Sequence, residues 1–180
     1  VVEQSDGYKL IRHIGAGIAG PLWSAEGPAG RAAMRRFSSS APQGGEEWIA
    51  ERTHFIQAGK QAIKFKHPRV VEVLEVIDDE SDAWIASEFV ELETLDAALK
   101  RGRLPADRVT AIVRTLAMTL DQAHRSNLVH GDLKPSCIFV DAAGQVRISD
   151  FAISPLARRN SRGEMDAAGI HPYLTPEHLI

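Results

Sequence analysis

Apolar and polar residues alternate along residues 8–14, with Tyr8, Leu10 and Ile14 on one side of the pattern, and this period of two predicts a strand. A glycine-rich run follows, and Leu22 and Trp23 open a second strand, since Pro21 and Trp23 argue against a helix there. Residues 32–37 predict a third strand, and residues 70–77 and 83–90 a fourth and fifth, separated by the acidic turn Asp78-Asp79-Glu80-Ser81-Asp82. Between the third and fourth strands the period changes. Ile49, Ile56 and Ile63 recur every second turn, with Trp48, Phe55 and Ala62 beside them, which predicts a helix over 47–65. The second half is mainly helical. A short helix over 94–101 is capped by Thr94 and stopped by Gly102, and a longer one over 105–125 carries Val109, Ile112, Val113, Leu116, Leu120 and Ala123 as its core face. Residues 137–140 and 146–149 then predict a hairpin about Asp141-Ala142-Ala143-Gly144-Gln145.

The 180 residues are 44% hydrophobic and 25% charged with a net charge of -3, an ordinary globular composition sufficient for one sizeable core and not basic enough for nucleic acid. One cysteine, Cys137, excludes an intrachain disulfide framework and fits a reducing compartment, which places the expected location in the cytoplasm. No apolar run reaches the length of a membrane span.

Three stretches carry candidate chemistry. Gly15-Ala16-Gly17-Ile18-Ala19-Gly20 lies between two strands, where glycine lets backbone N–H groups approach a phosphate; a plain turn would use the same residues. Arg35 and Arg36 on the third strand point to opposite faces, as a phosphate contact or as a solvated basic pair. His130-Gly131-Asp132-Leu133-Lys134-Pro135-Ser136-Cys137 and then Asp150-Phe151-Ala152 bracket the predicted hairpin. They supply two carboxylates and a lysine, although a His-Gly-Asp turn before Lys-Pro also serves as a polar loop.

In this order the segments resemble the protein kinase family, in its bacterial, eukaryotic-like Ser/Thr branch. The glycine run is similar to G-x-G-x-x-G-x-V, Ala32-Ala33-Met34-Arg35 to V-A-I-K, and His67-Pro68-Arg69-Val70-Val71 to H-P-N-I-V. The 130–137 loop resembles H-R-D-L-K-P-x-N, Asp150-Phe151-Ala152 resembles D-F-G, and residues 169–177 resemble G-T-x-x-Y-x-x-P-E, with Tyr173, Pro176 and Glu177 matching. The resemblance implies an α+β, protein-kinase-like two-lobe fold. Residues 1–90 would form a five-stranded antiparallel N-lobe with one helix, and residues 91–180 a partial, mainly helical C-lobe, truncated after the activation segment. Val1 in place of Met likewise suggests a fragment.

The resemblance also implies roles. Asp132 would be the catalytic base, Lys134 its phosphate-facing neighbour and Asp150 the metal ligand. Gly15, Gly17, Gly20 and Arg35 would face the phosphates, Leu22 and Ala33 would cover the adenine from above and Phe139 from below, and backbone groups of Glu88 and Val90 would read its edge, with Ser87 gating a back pocket. Several positions depart from the pattern. Arg35 stands for Lys, Ala58 or Gln57 for the Glu that pairs with it, Gly131 for Arg, Cys137 for Asn, Ala152 for Gly and Ile170 for Thr. With no Arg at 131 to receive a phosphate on Ser154 or Ser161, activation by loop phosphorylation is not expected.

Three functions therefore stand open. One is a pseudokinase that binds ATP with the Mg contribution weakened or absent and acts in signalling through a protein partner or fused domain. The second is a divergent active Ser/Thr kinase, for which Asp132, Lys134 and Asp150 speak. The third is a small-molecule phosphotransferase of the aminoglycoside or choline kinase type, whose H-G-D loop natively carries glycine at 131, against which Lys134-Pro135 and the 173–177 segment stand.

Overall fold

The computed structural model describes residues 4–5, 7–17, 20–79 and 82–151. Six antiparallel strands form the first sheet: β1 (Gln4–Ser5), β2 (Tyr8–Gly17), β3 (Gly20–Gly27), β4 (Gly30–Arg36), β5 (Val73–Asp78) and β6 (Ala83–Glu88), in the order β1-β2-β3-β4-β6-β5. Five of these are the expected strands. The two-residue β1 adds a sixth at the edge.

Strand alternation divides this sheet into two chemically distinct faces. On one face Tyr8, Leu10, Ala25, Ala32, Met34, Ile77, Trp84 and Ala86 form a buried cluster. On the other, Val73, Ala83 and Ile85 pack against Phe55, Ile56 and Ala62 of α1 (Glu46–Ala62). Ile14 does not continue the Tyr8–Leu10 stripe as expected, because register shifts between Leu10 and Arg12 and between His13 and Gly15 break the alternation of β2.

Helix α1 ends three residues before the expected limit, and its buried face begins later. Phe55, Ile56, Ala58, Gly59 and Ala62 are buried, whereas Ile49 is 51% exposed. The contacts with β5 and β6 fall on the last two turns, so an apolar residue in the first turn finds no sheet beneath it. Gly59 lets the helix come close: a Cβ there would lie 2.8 Å from Val76 Cγ2 and 3.0 Å from Ile85.

Beyond β6 the chain forms β7 (Glu93–Thr94), α2 (Leu95–Arg101) and α3 (Ala106–Arg125), then a single 3-10 turn over Pro135–Cys137 and the hairpin β8 (Ile138–Val140) and β9 (Val146–Ile148). Thr94 caps α2, its hydroxyl accepting from Ala97 N at 3.2 Å. The face α3 buries is narrower than the expected one, keeping Ile112, Leu116, Leu120 and Ala123. Ile112, Thr119 and Ala123 are buried with Leu116 and Leu120 partly so, but Val109 and Val113 are 43% and 57% exposed because the β8–β9 hairpin meets the helix to one side of them. Among the described residues, no helix is long and apolar enough to cross a membrane.

The two lobes are joined by backbone as well as side chains. Val71 N donates to Ile148 O at 2.8 Å and Ile148 N donates to Arg69 O at 2.9 Å, so β9 is stitched to the segment entering β5. Val70, Leu128, Ile148, Phe151 and Ala123 close a core at this junction, with Phe65, three residues past the end of α1, packed on it.

Candidate active site

The register of the first sheet determines what faces the cleft. Leu22 lies opposite Arg35, and Arg35 opposite Ile85; Ser24 lies opposite Ala33, and Ala33 opposite Ser87. These residues share the α1 side of the sheet, while Arg36 points to the opposite face, over the Trp84 ring at 5.4 Å and paired with Asp82 at 2.7 Å. The expected roof residues Leu22 and Ala33 are both half-buried on the α1 side, beside Arg35. Phe139 is half-buried on β8 in the other lobe, opposite Thr94 and Arg147, and Val90 lies just past the end of β6.

Glycine serves two purposes in the β2–β3 hairpin. Gly20 has φ +111°, and a Cβ would sit 2.0 Å from the Arg36 carbonyl oxygen, so the fold itself demands glycine. Gly15 has nothing within 4 Å of a Cβ and no left-handed backbone. Among the described residues, nothing therefore requires glycine at 15. Gly17 pairs with Gly20 to close the hairpin.

At the other side of the cleft, Lys134 Nζ donates to Asp132 Oδ2 at 2.6 Å, and Asp132 is 7% exposed. His130 fixes this loop: its Nε2 bonds Ser149 O at 2.8 Å, and Asp132 N donates to its Nδ1 at 3.3 Å, which assigns the proton to Nε2. Burial pushes the His130 pKa below its ordinary value, so the ring is neutral. Phe151 packs on His130 with ring centroids 4.8 Å apart.

Cys137 faces inward. Its thiol donates to Asp132 O at 3.8 Å, and burial, reinforced by the nearby Asp150 carboxylate, pushes its pKa up to about 12. A protonated, buried sulfur in this position is no ligand for a hard cation.

The least expected feature joins the two sides. Arg35 Nη2 donates to both carboxylate oxygens of Asp150, at 2.9 and 3.0 Å, and Nη1 donates to Gly20 O at 3.2 Å. Asp150 sits at φ 63°, a conformation tolerated by Asp better than by most residues, and accepts a further bond from Ser149 Oγ at 3.1 Å. Burial alone would raise its pKa; the Arg35 guanidinium and these hydrogen bonds more than offset that and hold the carboxyl below its ordinary range. No carboxylate from α1 competes for Arg35, since the helix presents Ala58 and Gly59 to the sheet.

Glu88 holds the lobe junction by its side chain, a role its sequence position did not suggest. Its carboxylate takes both Nη groups of Arg147 and accepts from Glu72 N at 2.7 Å, and Arg147 Nη2 also donates to Val70 O at 2.9 Å. These bonds hold the Glu88 pKa below its ordinary value against the opposing effect of burial. Nothing in the pattern around Arg147 signals this, because an Arg between Val146 and Ile148 reads only as the outward residue of a hairpin. Ala152, Ser154, Ser161, Ile170, Tyr173, Pro176 and Glu177 lie outside the described residues.

An antiparallel sheet with one helix, hinged onto a helical lobe whose loop brings Asp132 and Lys134 together, belongs among the two-lobed kinase-like domains. The family model described as Protein kinase domain matches residues 8–180, so the chain belongs to the protein kinase family. It is 33% identical over 117 residues to CBL-interacting serine/threonine-protein kinase 9 of Arabidopsis thaliana, covering 63% of this chain and 26% of that one. It is 27% identical over 180 residues to the probable serine/threonine-protein kinase PknB of Lactococcus lactis, covering 96% of this chain and 28% of the relative. The kinase domain of Mycobacterium tuberculosis PknI superposes with a TM-score of 0.71 at 25% identity, over 83% of this chain and 59% of that one. The chain thus spans about a quarter of these curated relatives' length.

Kinases of this family generally use ATP with Mg²⁺. At the positions the family's pattern gives to the metal, Asp150 has both oxygens engaged by Arg35, and Cys137 offers a sulfur in place of an Asn oxygen, a poor match to a hard cation.

Proposed function

We propose that this domain is a pseudokinase: a protein-kinase-like module that binds nucleotide between its lobes, transfers no phosphate at a kinase-like rate, and acts in signalling by regulating or scaffolding a protein partner or fused domain. The observation that carries this reading is the state of Cys137, whose protonated thiol is turned onto the Asp132 carbonyl where the family places an oxygen ligand for metal. Phosphoryl transfer relies on positioning groups acting as a unit, and losing one preorganised electrostatic group typically costs about 100-fold or more in rate. Nucleotide held here draws little on Mg²⁺ for its affinity.

A radiolabelled transfer assay tests it. Wild type is expected to show no transfer above an Asp132→Asn control, and Arg35→Lys, Ala58→Glu or Cys137→Asn alone no rescue. The triple variant is expected to gain more than the sum of the singles. A divergent active kinase is the second reading, favoured by the intact Lys134–Asp132 contact at 2.6 Å. Robust, Asp132-dependent transfer by wild type would establish that reading instead.

A further inference from the structure

We infer that Arg35 is the resident cation of this cleft: its guanidinium occupies the coordinating face of Asp150 and excludes a divalent metal from it, so the phosphates of a bound nucleotide are met metal-free. The inference rests on the nucleotide-binding reading above only for its last clause; the competition for Asp150 stands on geometry alone.

Arg35 is on the cleft face of β4 by register, is 9% exposed, and is held at both ends. Nη1 is anchored on Gly20 O, and Nη2 bridges the two oxygens of Asp150. A carboxylate bridged in this way has the face between its two oxygens filled, with Ser149 Oγ on Oδ2 as well, and a divalent ion placed a little over 2 Å from those oxygens would sit beside a fixed positive charge.

Lysine could not do the same. An ammonium is a compact point charge that does not span Gly20 O and both Asp150 oxygens with a planar fork, and it stays mobile enough to yield the carboxylate to a metal. Among the described residues the alternatives are few: α1 offers Ala58 and Gly59 in place of a carboxylate, and Lys134 already bonds Asp132. Arg35, Ala58 and Cys137 are then parts of one arrangement. The first replaces the metal's charge, the second leaves the first free to do so, and the third withdraws the remaining ligand.

Mn²⁺ binding, followed by electron paramagnetic resonance on the full chain without nucleotide, tests the competition. Wild type is expected to bind Mn²⁺ at least tenfold more weakly than Arg35→Met, and the gain is expected to vanish in Arg35→Met/Asp150→Asn. Arg35→Lys, should Arg35→Met unfold in a thermal melt, is expected to show the same gain in smaller measure. Equal Mn²⁺ affinity in wild type and a folded Arg35 variant would overturn the inference, as would a gain that persists without Asp150. A parallel titration with ATP in EDTA separates the two readings. Failure of ATP to bind would count against the proposed function, whereas the Mn²⁺ result alone decides the role of Arg35.

Discussion

Two glycines of one hairpin look equivalent in the sequence and are not equivalent in space. Gly20 is required by its own backbone, with φ +111° and the Arg36 carbonyl 2.0 Å from where a Cβ would lie. Gly20→Ala should therefore destabilise the domain by about 2–3 kcal/mol in chemical denaturation, through left-handed strain and the collision together. Gly15 meets neither obstacle, so Gly15→Ala should leave stability within about 0.5 kcal/mol of wild type. If the hairpin lies over phosphates, the same substitution should weaken ATP binding in calorimetry, which a turn without a ligand would not do. The pattern of glycines was legible in the sequence; the reason for each was not, because it depends on which strand end passes beneath.

At the scale of elements, the apolar core at the lobe junction is supplemented by polar contacts from residues the hydrophobic pattern leaves unmarked. Arg147 on β9 reaches back to Glu88 at the end of β6 and to the Val70 carbonyl, tying the hairpin that delivers Asp150 to the strand that enters the hinge. The pair is partly exposed, with side chains 23% and 32% accessible, so its contribution is smaller than that of a buried pair. Arg147→Ala should cost about 1–2 kcal/mol, and Arg147→Lys should recover only part of it, since an ammonium lacks the planar fork that takes both Glu88 oxygens together with the Val70 carbonyl. Urea denaturation of the two variants, with a double-mutant cycle to Glu88→Gln, measures it. Helix limits were legible within a few residues. The buried face of α3 was legible at Ile112, Leu116, Leu120 and Ala123 but not at its edge, because Val109 and Ile112 differ in what packs over them rather than in their own character.

For the molecule as a whole, stability should depend on pH through the loop that joins the lobes. His130 is neutral in the native state because burial depresses its pKa, whereas the unfolded chain takes up a proton near pH 6.5. Stability is then complete above about pH 6.5 and falls as pH drops below it, by up to about 2 kcal/mol between pH 6.5 and 5. Asp150 acts lower down: its depressed pKa contributes stability that is lost only as pH falls below the ordinary carboxylate range. Denaturation midpoints at pH 7.5, 6 and 5 should decline for wild type and flatten for His130→Gln, in which no imidazole remains to be protonated. An equal slope in both would show that another group governs it.

Local physics is written into the sequence. Alternation at a period of two and recurrence at 3.6 residues place the strands and helices, and the order of glycine hairpin, Asp132–Lys134 loop and Asp150 identifies the family, because each motif is carried by neighbours in the chain. The ion pair between Arg35 and Asp150 joins residues 115 positions apart, and it forms only once β4, α1 and the β8–β9 hairpin have been set against one another. By the resemblance, Arg35 stands where the family has a lysine, and Ala58, or Gln57, where it has the answering Glu. Where the unanswered charge goes is decided by distance and burial, and those exist only after the chain has folded.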